Sequence, residues 1–296
     1  MPLTASQIDR YSRHILLPDV GSKGQQALLN AKVLYIGAGG LGCPALQYLA
    51  VSGVGTLGIM DDDVVEASNL ARQILYTEHD IGKQKAVVAA EKLHRFNPDV
   101  HCVPTPTRFT ENHAALLNDY NIIADGSDNF ATRLLLGRLC YTHKKPLVSA
   151  AVTGFSIQLM TFKPYAGDDS NSLSNIQDFW TPACAGDSTR VCKNGTNPQQ
   201  KLGASPLVFK ENGGGYPCYQ CLYGEAPEEA ATGNCAENGV LSPIAGIAGT
   251  LQATAVIQEI LGLGAESGKT LFTFDALTMR GQTVRVAKDP ACAVCG

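Results

Sequence analysis

The chain has 296 residues, 45% hydrophobic and 17% charged, with a formal net charge of −4. That length suits one large α/β unit or two modest ones with a sizeable core, and the near-balanced charge gives no electrostatic footing for nucleic acid or an anionic membrane surface. No stretch is apolar for long enough to span a bilayer, and the first 13 residues lack a signal-peptide core, so a cytoplasmic protein is expected; its ten cysteines then point to metal binding or thiol chemistry rather than to disulfides.

Residues 1–30 read as a helical segment divided at Pro18 and Gly21. Within it, Arg10 and Arg13 fall on one side of a helix, and spacing alone makes them a solvated surface. Residues 33–36 form an apolar strand that enters a glycine cluster, Gly37 to Gly42. A helix with apolar positions at Leu41, Ala45, Leu46 and Leu49 follows, then a strand over 56–60 that ends at Asp61. This strand–glycine turn–helix–strand–acid order is the pattern of a nucleotide site at the first turn of a doubly wound, mostly parallel sheet. Glycines let a phosphate approach the backbone, and the helix start offers unpaired N–H groups.

Residues 61–82 read as irregular, with Ser68, Asn69, Arg72 and Gln73 in a polar stretch near the turn. A helix is expected over 82–96, carrying Lys83, Lys85 and Lys92, and a strand over 100–104. A helix is expected at 111–119 and a strand over 121–125 ending in Ser127, Asp128 and Asn129. A helix over 129–143 and strands at 146–150 and 156–162 complete the unit. Asp61, Asp62 and Asp63 and the pair Asp125 and Asp128 sit at strand ends, where such sheets bind ligands, so two acidic clusters facing one phosphate site suggest a divalent metal. Helix N-capping is the alternative for each acid, and Asp128 could serve in it equally well.

Residues 165–215 are rich in Gly, Ser, Asn, Asp and Pro and read as a flexible insertion with one short ordered piece at 176–180. Cys218-x-x-Cys221 and Cys292-x-x-Cys295 then match a four-thiolate structural zinc site that staples the C-terminus to the domain. Cys235 lies in a polar loop, where a lone cysteine is more often unremarkable than catalytic. A long apolar helix over 242–261 reads as core or dimer interface, and strands are expected at 271–275 and 282–286.

Taken jointly, Arg10-Tyr11-Ser12-Arg13, the 37–42 turn, Asp61 to Asp63, Ser68 to Gln73, Gly82 to Lys85, Ser127-Asp128-Asn129, Asn234 to Glu237 and the two CxxC pairs resemble the MoeB/ThiF/HesA group of adenylyltransferases, relatives of ubiquitin-activating enzymes. The resemblance spans nearly the whole chain except 165–215, where typical members have a far shorter connection. It implies a single adenylation domain over 1–296. The implied reaction is ATP-dependent adenylation of the C-terminal Gly-Gly carboxylate of a ubiquitin-fold sulfur carrier, with release of pyrophosphate.

By the same resemblance, Gly40, Asp61, Ser68, Asn69, Gln73 and Asn129 bind ATP, Arg72 and Lys85 neutralise phosphate charge, Asp128 holds Mg²⁺, and Cys218, Cys221, Cys292 and Cys295 hold Zn²⁺. Arg13 becomes a finger reaching into the partner's site of a homodimer. Cys235 matches a thiol that in some members bonds to the carrier. A separate sulfur donor, a cysteine desulfurase or rhodanese-like protein, is implied. The alternatives are an NAD-dependent oxidoreductase, since Gly37-x-Gly39-x-x-Gly42 with Asp61 fits that fingerprint, a zinc-stapled scaffold without chemistry, and a relative that activates another carboxylate or a modified tRNA base.

Overall fold

The computed structural model describes residues 2–164, 215–224 and 239–296. The insertion over 165–214, with its proposed piece at 176–180 and Cys184 and Cys192, and the loop holding Cys235 lie outside the described residues. Three short helices come first: α1 Ala5–Arg10, α2 Ser12–Ile15 and α3 Gly21–Asn30. There follow β1 Lys32–Ile36, α4 Gly42–Val51, β2 Thr56–Met60, α5 Lys85–Phe96, β3 His101–Thr105, β4 Ile122–Asp125, α6 Phe130–Thr142, β5 Leu147–Thr153 and β6 Ser156–Phe162. After the first gap come α7 Tyr219–Tyr223, α8 Ser242–Ile260, β7 Thr270–Asp275 and β8 Arg280–Arg285.

The strands form one eight-stranded sheet in the order β3-β2-β1-β4-β5-β6-β7-β8. The first five in that order run parallel, and β6, β7 and β8 add antiparallel pairs at one side. The doubly wound, mostly parallel reading therefore holds. Side chains of β1 divide between two cores, as pleating requires. Val33 and Tyr35 join α4 and α5 on one face, and Leu34 and Ile36 join α6 on the other. Both faces are covered, so the central strands β1, β2 and β4 are buried at nearly every position rather than alternating.

The order reverses between β1 and β4. At that switch point the carboxyl ends of the strands open a crevice, the usual ligand position in such sheets. Two glycines close the turn beneath it. Gly37 has φ +92, and a Cβ there would lie 2.8 Å from the Gly126 carbonyl; a Cβ at Gly42 would lie 2.1 Å from the Gly37 carbonyl. Larger residues at either position would push the turn away from β4.

Two expected boundaries move and one helix differs in type. The helix expected from 82 starts at Lys85, because Gly82 takes φ +82 and the segment behind it pairs with Val64 and Val65. That pairing makes Lys85 the first residue of α5. The helix at Glu111–Asp119 is a 3₁₀ helix. The strand expected at 146–150 runs on to Thr153, because all seven of its residues find partners in β6. The long C-terminal helix α8 is core. It packs on β4, β5, β6 and α4, burying Ala248, Gly249, Gln252, Ala253 and Val256.

The same topology locates where the insertion begins. Phe162 pairs with Leu147, the first residue of β5. Pro164 therefore leaves the sheet at the end opposite the crevice. Val240, which follows the loop holding Cys235, pairs with Gly154 and lines the crevice.

Candidate active site

The crevice encloses about 540 Å³ and is walled by the glycine turn, the 61–73 segment, the start of α5 and the loop after β4. Of the residues expected to bind nucleotide, Gly40, Asp61, Ser68, Asn69, Arg72, Gln73, Lys85, Asp128 and Asn129 all line it.

Asp61 closes β2 and ties the turn together. One carboxylate oxygen accepts the Ala38 N–H at 2.7 Å and the other accepts the Asp63 N–H at 2.9 Å. Burial raises its pKa above the usual carboxylate value, with Lys85 pulling the other way. A carboxylate has about four acceptor positions, so two bonds leave capacity for ribose hydroxyls. Beneath the turn, Tyr76 donates to the Ala38 carbonyl at 2.8 Å.

Lys85 is almost fully buried, and its Nζ pairs with the exposed Asp63 carboxylate at 2.8 Å. A buried ammonium with one exposed partner keeps donors for a phosphate. Asn69 is fixed by accepting the Glu66 N–H at 3.2 Å, while Arg72 donates to the Ser68 carbonyl at 3.0 Å. Ser242, at the start of α8, holds the same segment through the Ala71 carbonyl.

Gln73 is 3% exposed, and its Oε1 is the single buried side-chain oxygen or nitrogen without a hydrogen-bond partner among the described residues. An orphaned buried acceptor costs roughly 1–3 kcal/mol. Facing a crevice, it fits a ligand that supplies a donor, such as a nucleoside hydroxyl. Gln73→Met should therefore leave the melting temperature of the unliganded protein unchanged or raised, and weaken ATP binding about tenfold. Calorimetry and a thermal melt check both parts.

After β4 the two candidate roles of Asp128 separate. Asn129 caps α6, its side chain accepting the Thr132 N–H at 2.9 Å. Asp128 is exposed and carries no hydrogen bond or ion pair among the described residues, so the capping alternative for it falls away. Its carboxylate is available to a divalent cation in the crevice, an oxygen donor of the kind Mg²⁺ takes. Asp125 does not join it. Its carboxylate turns into the core, where it accepts from Ser127 and Ser149. The expected two-acid cluster at this strand end is one acid and one buried brace.

Two crevice cations went unforeseen. Arg108 follows β3, and Arg133 lies four residues after Asn129, one turn into α6. Position just beyond a parallel strand's carboxyl end was the available signal for Arg108, and i, i+4 spacing for Arg133. Arg13 sits exposed on α2 and does not line its own chain's crevice.

Away from the crevice, the Sγ atoms of Cys218, Cys221, Cys292 and Cys295 lie within 4.8 Å of one another. Cys218 lies 3.8 Å from Cys221 and 3.6 Å from Cys292, and Cys221 lies 3.3 Å from Cys295, close to the roughly 3.8 Å edge that a tetrahedron with Zn–S bonds of about 2.3 Å requires. The hydrogen bond with Cys218 holds the Cys221 thiol below its usual range. The Asp289 N–H donates to the same sulfur at 3.4 Å. The four cysteines thus fit a thiolate metal site. Chelation or Cys295→Ser should free the C-terminal segment and lower the melting temperature by about 10 °C, equivalent to roughly 3–5 kcal/mol. Metal analysis should find about one zinc per chain in the wild-type protein and none after chelation.

Comparisons with known proteins concern the whole chain. The model of the ThiF family matches residues 11–294. The sulfur carrier protein adenylyltransferase of Thermus thermophilus is 35% identical, over 100% of this chain and 93% of its own length. The SAMP-activating enzyme E1 of Haloferax volcanii is 37% identical, over 100% and 92%. The adenylyltransferase and sulfurtransferase MOCS3 of Danio rerio is 37% identical over 99% of this chain, which spans only 54% of that protein. Among solved structures, Escherichia coli MccB bound to MccA-N7isoASN superposes with a TM-score of 0.69 at 21% identity, over 99% of this chain and 76% of its own. That likeness concerns the fold. With the matched model running almost from end to end and two relatives matched over nearly their full lengths, the chain belongs to the ThiF family.

Proposed function

We propose that this protein is an adenylyltransferase, formed by one adenylation domain over 1–296. Its substrate is the C-terminal Gly-Gly carboxylate of a ubiquitin-fold sulfur carrier. A carboxylate oxygen attacks the α-phosphorus of ATP, the Pα–O bond to the β-phosphate breaks, and pyrophosphate leaves with those electrons. The carrier ends as an acyl-adenylate, ready for a sulfur donor such as a cysteine desulfurase or a rhodanese-like protein. The sulfur carrier and SAMP activation named for the relatives support the carrier as substrate.

The observation that carries the reading is the grouping of Arg72, Lys85 and the unpartnered Asp128 around one glycine turn. Hydride transfer has no use for two phosphate-directed cations facing a bare carboxylate. Displacement at phosphorus does, since negative charge accumulates on the leaving oxygens. Gly40 lies where the triphosphate approaches the backbone, Asp61 and Gln73 accept from the ribose, and Ser68 and Asn69 donate to phosphate oxygens. Mg²⁺, held by Asp128, withdraws charge from the phosphates when bound. Arg13 is assigned to the partner's site of a homodimer. Cys235, five residues before the crevice residue Val240, is assigned to covalent carriage of the activated tail. A cytoplasmic setting fits the described residues, in which no helix is long and apolar enough to cross a membrane.

The test is ATP–pyrophosphate exchange against a panel of Gly-Gly-ending carriers. Exchange with at least one carrier, lost when its last glycine is removed, is the expected result. Exchange with peptides or tRNA and with no carrier would overturn the choice of substrate.

A further inference from the structure

Asp125 is wholly buried, yet forms no salt bridge among the described residues. Its carboxylate accepts three hydrogen bonds instead. One oxygen takes the Ser127 N–H at 3.0 Å and the Ser127 hydroxyl at 2.7 Å, and the other takes the Ser149 hydroxyl at 2.8 Å. Its backbone is held as well. Gln252 of α8 donates to the carbonyls of Asp125 at 2.8 Å and Val148 at 2.9 Å, and Tyr35 of β1 donates to Gln252 at 2.5 Å.

The object of this brace is Ser127, the residue before Asp128. The remaining polar group of Ser127, its carbonyl, accepts Nε of Arg133 at 3.2 Å and Nη2 at 2.5 Å. All three polar groups of Ser127 are therefore fixed, its N–H and hydroxyl from the core and its carbonyl from α6. Arg133 is in turn fastened to Tyr219 of α7, between the first pair of zinc-site cysteines. Asp128, next in the turn, is exposed, lines the crevice and carries no hydrogen bond or ion pair among the described residues.

A buried carboxylate without a cation is costly, whereas an amide or hydroxyl would brace a turn more cheaply. The charge has a use if the turn must hold still while a divalent cation binds one residue further on. Partners of metal-holding residues commonly change metal affinity by 10–100-fold.

Resting on the adenylation reading, we propose that Asp125 is a positioning residue for the Mg²⁺-holding Asp128. It acts by locking Ser127 against β4 and by adding negative potential behind the cation.

The test uses the full chain with ATP and Mg²⁺ as probes. Calorimetry at graded Mg²⁺ should show that Asp125→Asn needs about tenfold more Mg²⁺ for half-maximal enhancement of ATP binding. ATP affinity in EDTA should stay within about twofold. Amide exchange over 126–129, measured without nucleotide, should quicken. Ser149→Ala, which removes one bond outside the crevice, should move the same quantities less and keeps the test open if Asp125→Asn folds poorly. Unchanged Mg²⁺ dependence and unchanged exchange over 126–129 in both variants would overturn the positioning role, even if their melting temperatures fell. Wild-type protein that binds no ATP with Mg²⁺ would overturn the adenylation reading instead, while the exchange measurement still decides the role of Asp125.

Discussion

Asp128→Ala is expected to lose ATP–pyrophosphate exchange by about three orders of magnitude or more while keeping its fold. Asp128 is exposed and makes no bond that the fold depends on. Its helix is capped by Asn129, and the turn before it is held by Asp125 and Arg133. Truncation should therefore leave the melting temperature within about 2 °C of wild type, as expected for a surface change of about ±0.5 kcal/mol. ATP affinity in EDTA should hardly move, since the missing group acts through the cation. Exchange assays, melts and calorimetry check the three parts. Full exchange in the variant would place the metal elsewhere, with Asp61, Asp62, Asp63 and Glu66 as the other acids of the crevice.

Arg13→Ala is expected to cost about 10³-fold or more in rate, the scale of an arginine supplied from a partner in phosphoryl transfer. Arg13 touches nothing in its own crevice, so a single-chain mechanism assigns it no effect. Mixing settles the matter. Arg13→Ala and Asp128→Ala proteins, each inactive alone, should recover about a quarter of wild-type exchange when subunits are exchanged one to one, because half the dimers are mixed and each holds one intact site. No recovery after verified subunit exchange would place both residues in the same subunit's site or deprive Arg13 of any role in the chemistry.

How much of this was legible in the sequence depends on how local each signal is. The β1 turn–α4–β2 unit was readable almost to the residue, because glycine steric demands and an apolar strand are written into adjacent positions. Ser156–Phe162 was equally clear. The start of α5 was not, since Lys85 is placed by pairing of residues 83 and 84 with Val64 and Val65, about twenty residues away.

The site divided along the same line. Gly40, Asp61, Asn69, Arg72, Gln73, Lys85, Asp128 and Asn129 form ordered motifs, and they meet in the crevice. Asp125 and Asp128 carry the same side chain at one strand end, and only the fold shows that one points into the core and the other does not. Arg108 and Arg133 belong to none of those motifs, and their only signals were a position just beyond a strand end and i, i+4 spacing from Asn129. The orphaned Gln73 oxygen is a property of three-dimensional packing and has no sequence signature at all.

The claim at the centre of this account is attack at the α-phosphorus by a carrier's terminal carboxylate. It is tested most directly by incubating the protein with a Gly-Gly-ending carrier, ATP and Mg²⁺, then identifying the nucleotide products and the carrier's intact mass. The account predicts pyrophosphate as the leaving group and a carrier bearing AMP at its C-terminus, with neither seen when the last glycine is absent. ADP and inorganic phosphate with no adenylated carrier would contradict it.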